Sequence, residues 1–188
     1  MKFNRYPLIL FVFLALVLTG CLTCEKKEYV FEVTGPESGK LTIRYINIFS
    51  NSIDSTGEVK ADYDELVGMW LNGEKIERDY PKAVKIRKRL YESGGQLCGE
   101  VTLEFRDLND VRLFRYDENS PYMLNTTTMA DDGEVFQNSN GDFGGDNMPV
   151  IFWRPDNKTL RLTTTIARPD STTVSLLDTW KANSGKKK

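Results

Sequence analysis

The residues best placed to do chemistry lie between Asp131 and Asp146, in the stretch DDGEVFQNSNGDFGGD. Asn138, Asn140 and Asp142 stand at alternate positions there, with Asp146 beyond them. Oxygen ligands spaced in this way in a glycine-rich loop are how proteins coordinate calcium. The glycines fall wrongly for an EF-hand, and Pro149 stands where its bidentate glutamate belongs. The expectation is therefore a looser calcium loop, the one cofactor site the sequence suggests. The competing reading is that Asx and Gly residues are simply what turns are made of. Three aromatics in or beside the loop, Tyr122, Phe143 and Trp153, are candidate ligand contacts. Phe152 and Trp153 are adjacent in an apolar run, so in a strand one points in and the other out. An outward Trp153 would meet a ligand or glycan; an inward one would pack beneath the loop.

The chain has no histidine. That removes the commonest general base, the usual partner of a Ser or Cys nucleophile, and the commonest metal ligand. Three cysteines cannot supply the four thiolates of an all-cysteine zinc site. Carboxylates are what remain for catalysis, and no pair of them has a telling spacing, so a carboxylate-based hydrolase is a lesser alternative to a non-enzymatic role.

The cysteines are Cys21, Cys24 and Cys98. Cys21 ends a segment that begins with Lys2 and Arg5, continues through the apolar run PLILFVFLALV and closes on LTGC. A short basic region, an apolar core and small residues make a secretory signal. The core is short for a membrane span of roughly 20 residues. Leu18, Gly20 and Cys21 resemble the lipobox of bacterial lipoproteins. The resemblance covers residues 1–21 and implies cleavage before Cys21, acylation of its thiol, and a bilayer as partner. Two or more chains hold stably where one does not. Leu22, where an aspartate would favour inner-membrane retention, points to the outer membrane of a bacterial envelope, on its periplasmic or outer face. In such an oxidising compartment Cys24 and Cys98 are expected to pair. The alternative is a buried free thiol at Cys98 and a linker residue at Cys24.

Several elements must hold these residues. Residues 27–49 alternate on both sides of the turn GPESG, as a hairpin does. A second hairpin over residues 83–105 turns at ESGGQ, with Lys or Arg on one strand facing Glu on the other. The basic run 82–89 then reads as a solvated face, or as a patch for anionic headgroups or glycan phosphates. Between the hairpins, Asp62 and Glu65 suggest a helix start, and Tyr63, Leu66, Val67 and Trp70 share a helical face. Gly68-Met69-Trp70 also resembles the Gly-x-Trp of lipocalin-like barrels, which would make Trp70 a residue closing a barrel base. Residues 110–117 read as a strand, 118–147 as a long loop, and MPVIFWR, KTLRLTTTIAR and TTVSLLDTW as three further strands.

These signals predict a mainly β chain: an antiparallel β-sandwich or flattened barrel of about eight strands with one short helix. The expected organisation is a signal peptide (1–20), a lipidated N-terminus and tether (21–26), a single β-rich domain (27–182) and a mobile lysine-rich tail (183–188). The net charge of −2 gives no basic domain for nucleic acid. The expected function is a membrane-anchored envelope module that binds a protein or glycan without catalysis. The alternative is a lipocalin-like carrier of a small apolar ligand.

Overall fold

The computed structural model describes residues 21–52 and 56–184. The expected signal peptide and the last four residues of the expected tail lie outside that range. The main sheet begins with the first predicted hairpin, β1 (Leu22–Val33) and β2 (Gly39–Ser50). Its register sets Tyr29 opposite Ile43 and Phe31 opposite Leu41, so both strands turn their apolar alternates to one face. The second hairpin, β3 (Val84–Ser93) and β4 (Gln96–Phe105), adds Val101, Leu103 and Phe105 to that face. Its turn needs positive φ at two successive residues, and Gly94 (58°) and Gly95 (77°) supply it without a Cβ clash.

The rest of the chain fills in around these hairpins. β5 (Tyr122–Asn125), β8 (Val150–Trp153) and the two-residue β7 (Asp142–Phe143) form a small antiparallel sheet. β6 (Val135–Ser139) and β9 (Thr159–Thr165) join the main sheet, which runs β3-β4-β2-β1-β9-β6, with β10 (Val174–Ser175) on the far end of β2. Tyr122, Leu124, Ile151 and Trp153 of the small sheet share one apolar cluster with Phe31, Leu41, Leu103 and Leu160 of the large one. The result is a β-sandwich-like arrangement whose main sheet stays open, with β3 and β6 as its edges. The opposite face of the large sheet is a charge ladder across four strands. Glu28, Arg44, Glu100 and Arg89 are successive register partners. Arg44 lies 3.6 Å from Glu28 and 3.2 Å from Glu100, and Arg89 lies 2.8 Å from Glu100.

Several expectations are corrected. Among the described residues four α-helices stand where one was expected: α1 (Thr56–Glu65), α2 (Lys75–Asp79), α3 (Thr127–Asp131) and α4 (Leu177–Ser184). α1 starts six residues before the Asp62 signal and continues through a π-helical segment, Leu66–Leu71, which Asn72 N–H closes on the Val67 carbonyl at 3.0 Å. Gly68 to Trp70 therefore sit in helical backbone rather than at the start of a barrel strand, and no barrel closes. Of the expected last strand only β10 (Val174–Ser175) is strand, and α4 occupies the rest from Leu177. Leu176, Leu177 and Trp180 follow helical spacing there, and the Leu177 N–H donates to Ser175 Oγ (3.2 Å) as at a helix start. It also takes in residues 183–184 of the expected tail. Residues 110–117 give only a 3₁₀ turn (Leu108–Val111) and one isolated bridge at Phe114. The expected long loop carries β5, α3, β6 and β7. β1 begins at Leu22, so residues 22–26 are strand rather than tether. Among the described residues no helix is long and apolar enough to cross a membrane.

Candidate functional site

The acidic segment is held together by its own backbone neighbours. Asn140 Oδ1 accepts from Trp153 Nε1 (2.9 Å) and from the Arg161 N–H (2.7 Å), and its Nδ2 donates to the Thr159 carbonyl (2.9 Å). Its carboxamide is thus committed to tying the β6–β7 connection to β8 and β9. Asn138, Asp142 and Asp146 are exposed, and among the described residues no three acidic, Cys or His side chains gather as a metal would need. The alternate spacing arises because Asn138 and Asp142 lie on successive strands that belong to different sheets, β6 and β7, with Asn140 in the connection between them.

The expected ligand aromatics are core residues. Trp153 is fully buried and tilts against Phe31 with ring centroids 6.5 Å apart. Tyr122 is buried, its ring under the Arg115 guanidinium at 5.0 Å and its hydroxyl accepting from Arg115 Nη1 at 3.2 Å. Phe143 stacks on Phe136 at 4.1 Å. The inward choice for Trp153 wins because β8 has the two-sheet core on that side.

The expected bridge between Cys24 and Cys98 is not formed. Both are buried free thiols, and each lies near a carbonyl two residues away: Cys24 Sγ is 3.5 Å from Lys26 O, and Cys98 Sγ is 3.9 Å from Gln96 O. Burial pushes the Cys24 thiol up to about 12, against the smaller downward pull of Lys27, so its reactive thiolate is suppressed. Cys21 is half-buried and unbridged. Its carbonyl accepts from the Asn51 N–H at 2.9 Å, so pairing reaches the residue before β1. Burial, then Asp62 and Glu58, raises its thiol above the ordinary value.

What the structure assembles instead is a cavity of about 250 Å³ between the core face of the main sheet and the helical cover. Tyr45, Ile48, Leu90, Gly99 and Val101 form the sheet side; Leu66, Trp70, Leu71 and Ile76 form the helical side. Leu22, Thr23 and Cys24 line it at the start of β1. Two local features open this space. Asn47 adopts a left-handed conformation (φ 56°), which breaks the alternation of β2 so that Tyr45 and Ile48, three apart, face the same side. Gly99 leaves the floor bare: a Cβ there would lie 3.3 Å from Ile48 Cδ1 and 3.7 Å from Tyr45 Cβ. Trp70 roofs it by standing edge-on to Tyr45 at 6.1 Å. Burial, with smaller contributions from Tyr80 and Cys24, keeps the Tyr45 phenol well above its ordinary value and so neutral.

The charges around this cavity are already spoken for. Lys88 lies 2.9 Å from Glu77 and 2.5 Å from the Gly73 carbonyl; Arg89 meets Glu100 at 2.8 Å; Asp132 meets Arg112 at 3.7 Å. Lys27 lies 2.7 Å from Glu134, the most deeply buried carboxylate of the ion pairs. Glu134 also accepts from the Tyr29 hydroxyl (2.9 Å to each oxygen) and from Thr164 Oγ1 (2.6 Å). Burial first, and the Glu134 charge second, push the Tyr29 phenol far up, so it stays a donor. This network is a satisfied structural anchor between β1, β9 and the end of α3. Sequence reasoning found Trp70 and Leu66 as a helical face, but nothing local marks Ile76, Leu90 and Gly99 as their partners. The sequence matches no protein-family model and no curated protein.

Proposed function

We propose that this chain is a membrane-anchored lipoprotein of the bacterial cell envelope, acylated at Cys21, that acts as a non-enzymatic binding module through the apolar cavity under the π-helical segment and α2. The observation that carries this reading is the cavity itself: an apolar hollow whose surrounding charged side chains are all ion-paired. Such a site favours an uncharged apolar group over an anion, because any charge brought in would have to compete with pairs already made. The ligand class is that of the carrier alternative, on an open sheet rather than a closed barrel. The non-enzymatic part is supported by Glu134, a buried carboxylate with three donors and no opposed acid.

Native mass spectrometry of the protein extracted gently from its own membrane, before and after reduction, tests this. The expected result is an acylated chain carrying a small apolar molecule, with no gain of two hydrogens on reduction because Cys24 and Cys98 are free thiols. An unacylated mass would remove the lipoprotein reading. A bare acylated chain that also fails to take up an apolar fluorescent probe would remove the cavity as the site.

A further inference from the structure

We infer that the cavity receives one alkyl chain of a phospholipid drawn from the bilayer in which the protein is anchored. This deepens the reading above and rests on Cys21 being that anchor. The first three residues after Cys21, namely Leu22, Thr23 and Cys24, all line the cavity. Adjacent Cα atoms are about 3.8 Å apart, and no slack intervenes: Cys21 O accepts from Asn51 N, and strand pairing begins at Leu22. An acylated Cys21 therefore holds this end of the cavity at the lipid surface. Bilayer chains are then present at an effective concentration no dilute solute matches.

Size and polarity agree with a chain and exclude a headgroup. A cavity of about 150 Å³ accommodates benzene, so the 250 Å³ here takes about ten carbons on that scale. The volume lies below the roughly 300–1,000 Å³ of sites for bulkier ligands. Hydrocarbon moving from a bilayer interior into an apolar cavity gives up little solvation, since lipid tails are as apolar as leucine. What it gains is close contact with Ile48, Leu66, Trp70 and Leu90 in a space otherwise short of partner atoms. With Lys27, Lys88 and Arg89 each held by a carboxylate, the headgroup stays outside at the surface.

The test uses the mature acylated protein reconstituted into vesicles of phosphatidylethanolamine and phosphatidylglycerol whose acyl chains are brominated near mid-chain. Bromine quenches tryptophan only near contact. Trp70 roofs the cavity, whereas Trp153 is buried between the two sheets and Trp180 lies on α4. The expected result is loss of the Trp70 emission, identified as the component missing from Trp70→Phe. Gly99→Val fills the floor and should restore that emission while the protein stays vesicle-bound. Thr23→Phe, at the anchor end, serves the same purpose if Gly99→Val does not fold. Bound protein with unquenched Trp70 overturns the proposal and leaves the anchor standing. Quenching that persists in the filled variants also overturns it, because Trp70 would then be dipping into the bilayer. Quenching only by added brominated fatty acid overturns the bilayer as source. Protein that does not bind vesicles overturns the proposal and the anchor together.

Discussion

Replacing Glu134 by Gln tests the buried network that ties β1 to β9. The Glu134 side chain is 2% exposed and its Lys27 partner 17%. Glutamine keeps the shape and one carbonyl acceptor for Tyr29 or Thr164, but leaves the Lys27 ammonium without its counter-charge. Removing one partner of a buried pair typically costs about 3–5 kcal/mol. Lys27 retains some access to water, so the lower end, about 3 kcal/mol, is expected here. At about 2–4 °C per kcal/mol for a chain of this size, the melting temperature should fall by about 6–12 °C. Thermal and urea unfolding followed by circular dichroism read this directly. The double variant Lys27→Met, Glu134→Gln removes both charges, and its loss should be smaller than the sum of the two single losses by about 1–3 kcal/mol. A single-variant shift under about 2 °C, or a cycle that is simply additive, would refute the view that this ion pair is buried and coupled.

Three further outcomes are expected. Asn140→Ala removes three hydrogen bonds, including the one that satisfies Trp153 Nε1, and should cost about 1–3 kcal/mol. The melting point of the unsubstituted protein should not move between calcium and chelator; a chelator-sensitive midpoint would return the segment to a metal role. At Glu100, burial pushes the carboxyl up, but hydrogen bonds from Arg89 and Arg44 outweigh it and leave the group below the ordinary carboxylate value. Its folded pKa is then lower than its unfolded value of about 4.3. The stabilisation is present above that value and is lost as pH falls through the folded one. Because both arginines are well exposed, Glu100→Gln should cost only about 0.5–1 kcal/mol at pH 7, and the difference from the parent should shrink below about pH 4. A difference that stays constant into strong acid would show that the ladder contributes nothing through charge.

The two hairpins and the β3–β4 rung of the charge ladder were legible because their information is local. Period-two alternation, GPESG and ESGGQ, and Lys or Arg facing Glu each state a pairing within a short stretch of chain. The segment from 118 to 147 was not legible for the opposite reason. β6 and β7 are five and two residues long, rich in Asx and Gly, and take their pairing from β9 and β8. Composition reports such residues as loop. Phe152 and Trp153 show a subtler limit: alternation said that one of the two points inward, and only the placement of the small sheet decided which. The last strand was misread because Val174 and Leu176 alternate just before Leu176, Leu177 and Trp180 set a helical period. The cavity lay beyond sequence reasoning. It depends on a missing side chain at Gly99, a broken alternation at Asn47 and a helix that returns to cover both.

The central place of β1 gives the molecule a mechanical character. The strand runs between β2 and β9, with eleven register partners on one side and seven on the other. A domain held at Cys21 and dragged away from its point of attachment is pulled along the axis of this strand. Ladder hydrogen bonds lie across that axis, so the load falls on many of them side by side in shear. An edge strand pulled outward would instead open one bond at a time, as a zipper does. With the proposed anchor at Cys21, the load would enter through the middle strand, an arrangement suited to a domain that must stay folded while pulled from one end.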